Sequence, residues 1–148
     1  QFLSQLEVNG LRVFDYGCGT GVLGLLTKKM GAQQVDGIDY DILSVENSLK
    51  NAQKNGLQWD HLAKATLEQF PREEYDLVLA NINRNVILDN LDTLYPKVNP
   101  GGLVLFSGFY ESDLPVMQPA LVKSGFQIVD QRVRQDWMCL KVQKLGRS

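Results

Sequence analysis

The 148-residue sequence is poor in the side chains that most often hold metals or staple small folds: one histidine, His61, and two cysteines, Cys18 and Cys139. Such a set offers no zinc-ligand spacing and no disulfide framework, and it suits a reducing cytosol. No metal site is expected, and His61 reads as an exposed residue at the start of a strand. Cys18 has no histidine or cationic partner nearby in sequence, so it reads as a small filler rather than a nucleophile. No apolar run approaches the roughly 20 residues that cross a bilayer, and no secretory signal stands at the start. A cytoplasmic location without a membrane partner is therefore expected. Neither charge sign dominates, with 15 Lys and Arg against 17 Asp and Glu and a formal net charge of −2. That balance argues against direct nucleic-acid binding. Low-complexity tracts, internal repeats and interdomain linkers are all lacking.

What is present is globular: 44% hydrophobic and 22% charged residues, enough for one domain over 1–148 with a sizeable core. The chain opens without Met on Gln1-Phe2-Leu3-Ser4-Gln5-Leu6, which reads as the middle of a helix over Phe2 to Val8. A fragment lacking its upstream part is the expectation.

Periodicity and punctuation predict alternating strands and helices. Leu11 to Tyr16 reads as a strand buried on both faces. A helix from about Gly21 to Met30 follows, with Val22, Leu25 and Leu26 facing the sheet, Lys28 and Lys29 outward, and Gly31 as its stop. Gln34 to Asp39 is the second strand. Asp41 then caps a helix reaching about Asn55, with Ile42, Val45, Leu49 and Ala52 on its apolar face. His61 to Thr66 and Tyr75 to Ala80 are further strands. Val86 to about Lys97 is helical, with Ile87, Leu91 and Leu94 on one side, and Asn99-Pro100-Gly101-Gly102 is a turn. Leu103 to Phe106 is a fifth strand, and Ser112 caps a helix to Ser124. Phe126 to Arg134 and Trp137 to Lys144 are joined by so short a link that only an antiparallel hairpin fits. The predicted fold is α/β and Rossmann-like: a mostly parallel sheet with one reversed strand and helices on both faces.

Val13-Phe14-Asp15-Tyr16-Gly17-Cys18-Gly19-Thr20-Gly21 carries most of the functional signal. Glycines at alternate positions after a strand admit positive φ and leave bare backbone for a ligand. The next helix opens with unpaired N–H groups at its positive dipole end. Asp39 ends the next strand, roughly where dinucleotide folds place a carboxylate on ribose hydroxyls. Gly17, Gly19 and Gly21 form G-x-G-x-G directly at the strand end. The nicotinamide fingerprint G-x-G-x-x-G fits only as Gly19, Gly21 and Gly24, two residues too late, with Val22 where Gly or Ala belongs. S-adenosylmethionine is therefore preferred to a nicotinamide dinucleotide.

Asp15-Tyr16-Gly17-Cys18-Gly19-Thr20-Gly21, Gly37-Ile38-Asp39, Ala80-Asn81-Ile82 and Pro100-Gly101-Gly102 together resemble the class I S-adenosylmethionine-dependent methyltransferases. Ala80-Asn81-Ile82 with the Ser107-Gly108 and Trp137 segments resembles, more narrowly, the bacterial ribosomal protein L11 methyltransferase family, from Leu11 to Lys144. The resemblance implies a seven-stranded sheet and S-adenosylmethionine as cofactor. It also implies trimethylation of lysine side-chain and N-terminal amines on a ribosomal protein, with L11 of the large subunit as the partner. Carried over, Gly17 would lie against the methionine part and Asp39 on the ribose hydroxyls. Asn81 would lie beside both cofactor and incoming amine, as the catalytic candidate. Asp15, Cys18, Gly19, Gly21 and Tyr40 complete the expected cofactor shell, with Thr66 and Leu67 nearest the adenine. The chain departs from the family at Asn83, where leucine is usual, and at Phe109 and Tyr110, where smaller aliphatic residues are usual. The family's N-terminal substrate-recognition domain and its Gly-Thr-Gly-His-rich segment have no counterpart in these residues.

Tyr16, Phe109 and Tyr110 are candidates for cation–π contact with a sulfonium, and Tyr16 and Phe109 are equally open to a core reading. Two other functions stay open on sequence alone. One is methyl transfer to a small molecule or nucleic acid, and the other is a cofactor-binding module that is inert by itself.

Overall fold

The computed structural model describes residues 3–71 and 74–145. Among these residues seven strands form one sheet in the order β3-β2-β1-β4-β5-β7-β6: β1 Arg12–Tyr16, β2 Gln34–Asp39, β3 His61–Lys64, β4 Tyr75–Asn81, β5 Val98–Tyr110, β6 Phe126–Arg134 and β7 Trp137–Lys144. Neighbours pair in parallel except that β7 runs antiparallel to both β5 and β6. The long helices are α1 Val22–Lys29, α2 Ile42–Lys54, α3 Arg84–Leu94 and α4 Leu114–Lys123. The expected sheet with one reversed strand near its C-terminal edge is the one observed, and no helix among the described residues is long and apolar enough to cross a membrane.

Alternation along the central strands sends side chains to two cores. Val78 and Ala80 of β4 join Phe14, Phe106 and Leu140 under Ile87, Leu91, Met117 and Leu121 of α3 and α4. Leu77 and Leu79 face the other way, with Val13, Val35, Leu105, Leu3 and Val8. Phe14 lies between Phe70 and Tyr75 at ring distances of 5.2 and 4.9 Å. Beside this stack sits Asp36, fully buried. It accepts from the Tyr75 hydroxyl at 2.5 Å and from Gln34 Nε2 at 2.9 Å, with His61 Nδ1 2.9 Å from its other oxygen. His61 is thus not a free surface residue: its ring is half-exposed and held by a buried carboxylate. A polar group removed from water needs such partners.

Several local expectations are corrected. The opening segment forms only a 3₁₀ turn at Leu3–Gln5, and Phe2 lies outside the described residues. On α1 the inner face is Gly24, Leu25 and Thr27, while Val22 and Leu26 are exposed. Those two stand four apart on one row of the helix, and the opposite row is drawn inward by Gly24. On α2, Val45, Ser48 and Ala52 are buried, and Ile42 and Leu49, seven apart, face out. Asp41 does cap α2, accepting from Leu43 N–H at 3.0 Å. Helix α3 starts two residues earlier than expected, because the Asn83 side chain accepts from Val86 N–H at 3.0 Å. Asn99 to Gly102 is not a free turn but an irregularity inside β5, where the register on β4 jumps between Tyr75 and Leu77. Ser112 does not cap α4. The cap residue is Asp113, whose carboxylate accepts from Tyr110 N–H at 2.9 Å.

Candidate functional site

At the carboxyl ends of β1, β2, β3 and β4 the sheet opens into a cleft of about 510 Å³. This is the edge where open α/β sheets bind ligands. Gly17 and Gly19 of the glycine turn line it, together with Asp39, Tyr40, Thr66, Leu67 and Asn81. The other three expected shell residues do not line it. Asp15 lies behind the turn, 3% exposed, and takes the Gly24 N–H on Oδ2 at 3.1 Å. Cys18 is buried against α2, and Gly21, at φ +80°, caps α1.

Three groups hold the glycine turn from behind. Ser48 Oγ donates to Gly19 C=O at 2.8 Å, and Asn51 Nδ2 donates to Thr20 C=O at 2.8 Å. Because the Ser48 hydroxyl proton is spent on Gly19, Cys18 supplies the proton in its 3.4 Å contact with Ser48 Oγ. Burial pushes the Cys18 thiol up to about 12, so it is no nucleophile at neutral pH. Trp59 completes the support. Its Nε1 donates to Ser48 C=O at 3.1 Å, and its ring lies so close to Gly21, Gly24 and Gly37 that a Cβ on any of them would come within 2.7 Å of it.

Ser48 and Trp59 were not found by reading motifs. The only available signal was a serine on the inner row of α2, between Val45 and Ala52. Replacing Ser48 with alanine leaves the Gly19 carbonyl without its buried donor. The expected loss is about 1–2 kcal/mol in urea unfolding, with the denaturant slope unchanged.

Asp39 is 8% exposed. Its Oδ2 accepts from Gly19 N–H at 3.0 Å and its Oδ1 from Asp41 N–H at 2.9 Å, which welds the end of β2 to the turn. Each carboxylate oxygen retains a further lone pair, and the residue lines the cleft. Burial pushes the Asp15 carboxyl up to about 7, opposed by the Gly24 N–H and assisted by the nearby Asp39 charge. Gly17 has φ +70°, and a Cβ there would sit 2.7 Å from Ile82 Cγ2, so only glycine keeps this wall open.

Asn81 ends β4, paired with Ser107 of β5. Its Oδ1 would lie 2.8 Å from a Cβ on Gly108, which has φ +92°. Gly108 thus makes room for the amide. Tyr16 lines the cleft and stacks on Phe14 at 6.2 Å, Phe109 is core at 1% exposure, and Tyr110 is half-exposed. Ser44, Ile82, Val86 and Asn90 also line the cleft. Ile82 lies between β4 and α3, Ser44 is on α2, and Val86 and Asn90 are on α3, the helices that follow β2 and β4. Among the described residues no group of three or more potential metal ligands converges.

The profile of the ribosomal protein L11 methyltransferase family (PrmA) matches residues 1–145. A ribosomal protein L11 methyltransferase of Porphyromonas gingivalis is 35% identical over 143 residues, covering 95% of this chain and 49% of the relative. One from an Exiguobacterium species is 35% identical over 136 residues, covering 91% and 44%. The chain spans about half the length of the curated relatives it matches. Among solved structures, a ribosomal protein L11 methylase from Lactobacillus delbrueckii subsp. bulgaricus superposes with a TM-score of 0.91 at 30% identity, covering 97% of this chain and 75% of that one. A magnesium protoporphyrin IX methyltransferase from Synechocystis, solved with bound SAM, shares the fold at a TM-score of 0.77 and 20% identity, covering 97% of this chain and 74% of that one. With its sheet order, its strand-edge cleft and a family profile that runs through both, the chain belongs to the ribosomal protein L11 methyltransferase family.

Proposed function

We propose that the cleft binds S-adenosylmethionine and that the chain transfers its methyl group to lysine side-chain and N-terminal amines of ribosomal protein L11. The observation that carries this reading is the meeting of Gly17, Asp39, Thr66 and Asn81, from four different strand ends, around one cavity. Its volume of about 510 Å³ lies within the range of small-molecule sites. The bare Cα of Gly17, where a Cβ would strike Ile82, is the cradle such a ligand needs.

When bound, S-adenosylmethionine supplies a methyl group already activated on a sulfonium. Asp39 offers its two free lone pairs to the ribose hydroxyls, in charge-assisted bonds. Thr66 and Leu67 stand at the end of β3 to flank the adenine, and Gly17 leaves the methionine part against backbone. Asn81 Oδ1 accepts a hydrogen bond from the neutral amine and aims its lone pair. A free lysine has a pKa of about 10.4. The apolar wall of Tyr16, Ile82 and Val86 disfavours the charged ammonium and brings that value down. Holding the amine at attack distance supplies most of the rest.

Calorimetric titration with S-adenosylmethionine tests the cofactor half of this reading. Asp39→Ala weakens binding by about 2 kcal/mol, roughly thirtyfold. Asn81→Ala keeps the affinity but lowers methyl transfer to purified L11 about a hundredfold, through loss of aim. Full turnover in the Asn81 variant with intact affinity would remove that residue from the mechanism.

A further inference from the structure

At the end of β5, Tyr110 stacks on Trp137, the first residue of β7, with ring centroids 4.5 Å apart and planes 27° apart. The two rings are 49% and 50% exposed. Two large rings that cover each other and stay half in water form a rigid contact platform of the kind that anchors interfaces.

Beside the pair runs a groove of about 420 Å³ lined by Tyr110, Glu111, Ser112, Pro115 and Asp136. It carries two carboxylates and no cation. Neither the Glu111 nor the Asp136 side chain has an ion-pair or hydrogen-bond partner among the described residues. Their backbones are joined, Glu111 N–H donating to Asp136 C=O at 2.8 Å, so the two acids are held side by side. Of the cations nearby, Arg84 is spent on Asp113 at 3.1 Å. Arg134 pairs with Trp137 from β6, on the side away from Tyr110. A separate depression lies between the groove and the cleft, sharing Asn83 with the cleft and Tyr110 with the groove and lined also by Gly108 and Arg84.

We propose that this groove seats a second basic side chain, lysine or arginine, of the protein whose amine is presented at Asn81. The aliphatic stem lies on the open face of the Tyr110–Trp137 pair, with the charge between Glu111 and Asp136. Cation–π attraction and charge-assisted hydrogen bonding act together there. The substrate class that follows is an extended basic segment with a cationic residue near the target. This inference rests on reading the cleft as an amine methyltransferase site.

Titration of the chain with penta-lysine, followed by tryptophan emission, reads the groove without any turnover. A saturable change is expected that is absent with fully N-acetylated penta-lysine and lost in Trp137→Phe. In the double variant Glu111→Gln/Asp136→Asn the dissociation constant rises about tenfold, while S-adenosylmethionine affinity and the thermal midpoint stay unchanged. An unchanged isotherm in the double variant, or an equal response to the acetylated peptide, overturns the proposal. If penta-lysine binds as expected but the chain neither binds S-adenosylmethionine nor transfers a methyl group, the groove stands and the reading of the cleft falls.

Discussion

Asp15→Asn flattens the pH dependence of stability between pH 4 and pH 8. The Asp15 carboxyl sits at about 7 in the folded chain against 3.8 for the free group. Between those values the folded state holds a proton that the unfolded state has released, so unfolding becomes easier as pH rises. The stabilisation is whole below about pH 4, erodes through the interval and is gone above about pH 7. Three units at 1.36 kcal/mol each set the loss at roughly 4 kcal/mol. Asparagine keeps an oxygen for the Gly24 N–H and cannot ionise. Its own buried NH₂ costs something at every pH, which moves the curve without tilting it. Urea unfolding of both chains at half-unit pH steps gives a difference curve from which the other carboxylates cancel. That curve rises in favour of the variant by roughly 4 kcal/mol from pH 4 to pH 8. Parallel curves would mean that Asp15 is ionised in the folded state at neutral pH.

Gly21→Ala is expected to cost about 2–5 kcal/mol, the sum of two separable penalties. The first is conformational: φ at Gly21 is +80°, a left-handed geometry costing other L-residues about 1–2 kcal/mol. The second is steric, since the new Cβ would lie 2.6 Å from the Trp59 ring and 2.9 Å from Ser48 Oγ. Neither neighbour yields easily, because Ser48 is bonded to Gly19 and Trp59 to Ser48. Gly10 supplies the control. It has the same φ of +80° with nothing within 4 Å of the added carbon, so Gly10→Ala carries the conformational penalty alone. The excess in Gly21→Ala, read by thermal or urea unfolding, measures the packing behind the turn. Equal losses at the two positions would show that Trp59 and Ser48 move aside freely.

These two residues also mark where the sequence was informative and where it was not. The ends of β2 and β6 were legible because an acid closes the first and a short link the second. Gly17, Asp39, Thr66 and Asn81 were legible as neighbours because all stand at carboxyl ends of strands, and a parallel sheet brings such ends to one edge. The faces of α1 and α2 were not. Val22, Leu26, Ile42 and Leu49 are apolar at helical spacing, yet the buried rows hold Gly24 and Ser48. Trp59 arrives from beyond the end of α2, lies where Gly24 has no side chain and holds α2 through the Ser48 carbonyl. Asn99-Pro100-Gly101-Gly102 has turn composition, but the strand pairing on either side carries the chain through as an irregularity. His61 gave no hint of Asp36, since a bond between neighbouring parallel strands has no short-range signature.

The hydrogen bonds inside and behind the glycine turn leave its backbone little freedom. The carbonyls of Cys18, Gly19 and Thr20 are engaged by Gly21 N–H, Ser48 and Asn51 respectively, and none of those partners lines the cleft. The negative ends of three successive peptide dipoles are thereby anchored on the outer side of the loop. The N–H groups of Cys18, Gly19 and Gly21 are committed as well, to Ile38 C=O, Asp39 Oδ2 and Cys18 C=O, so a visitor meets a loop already set in place before it arrives.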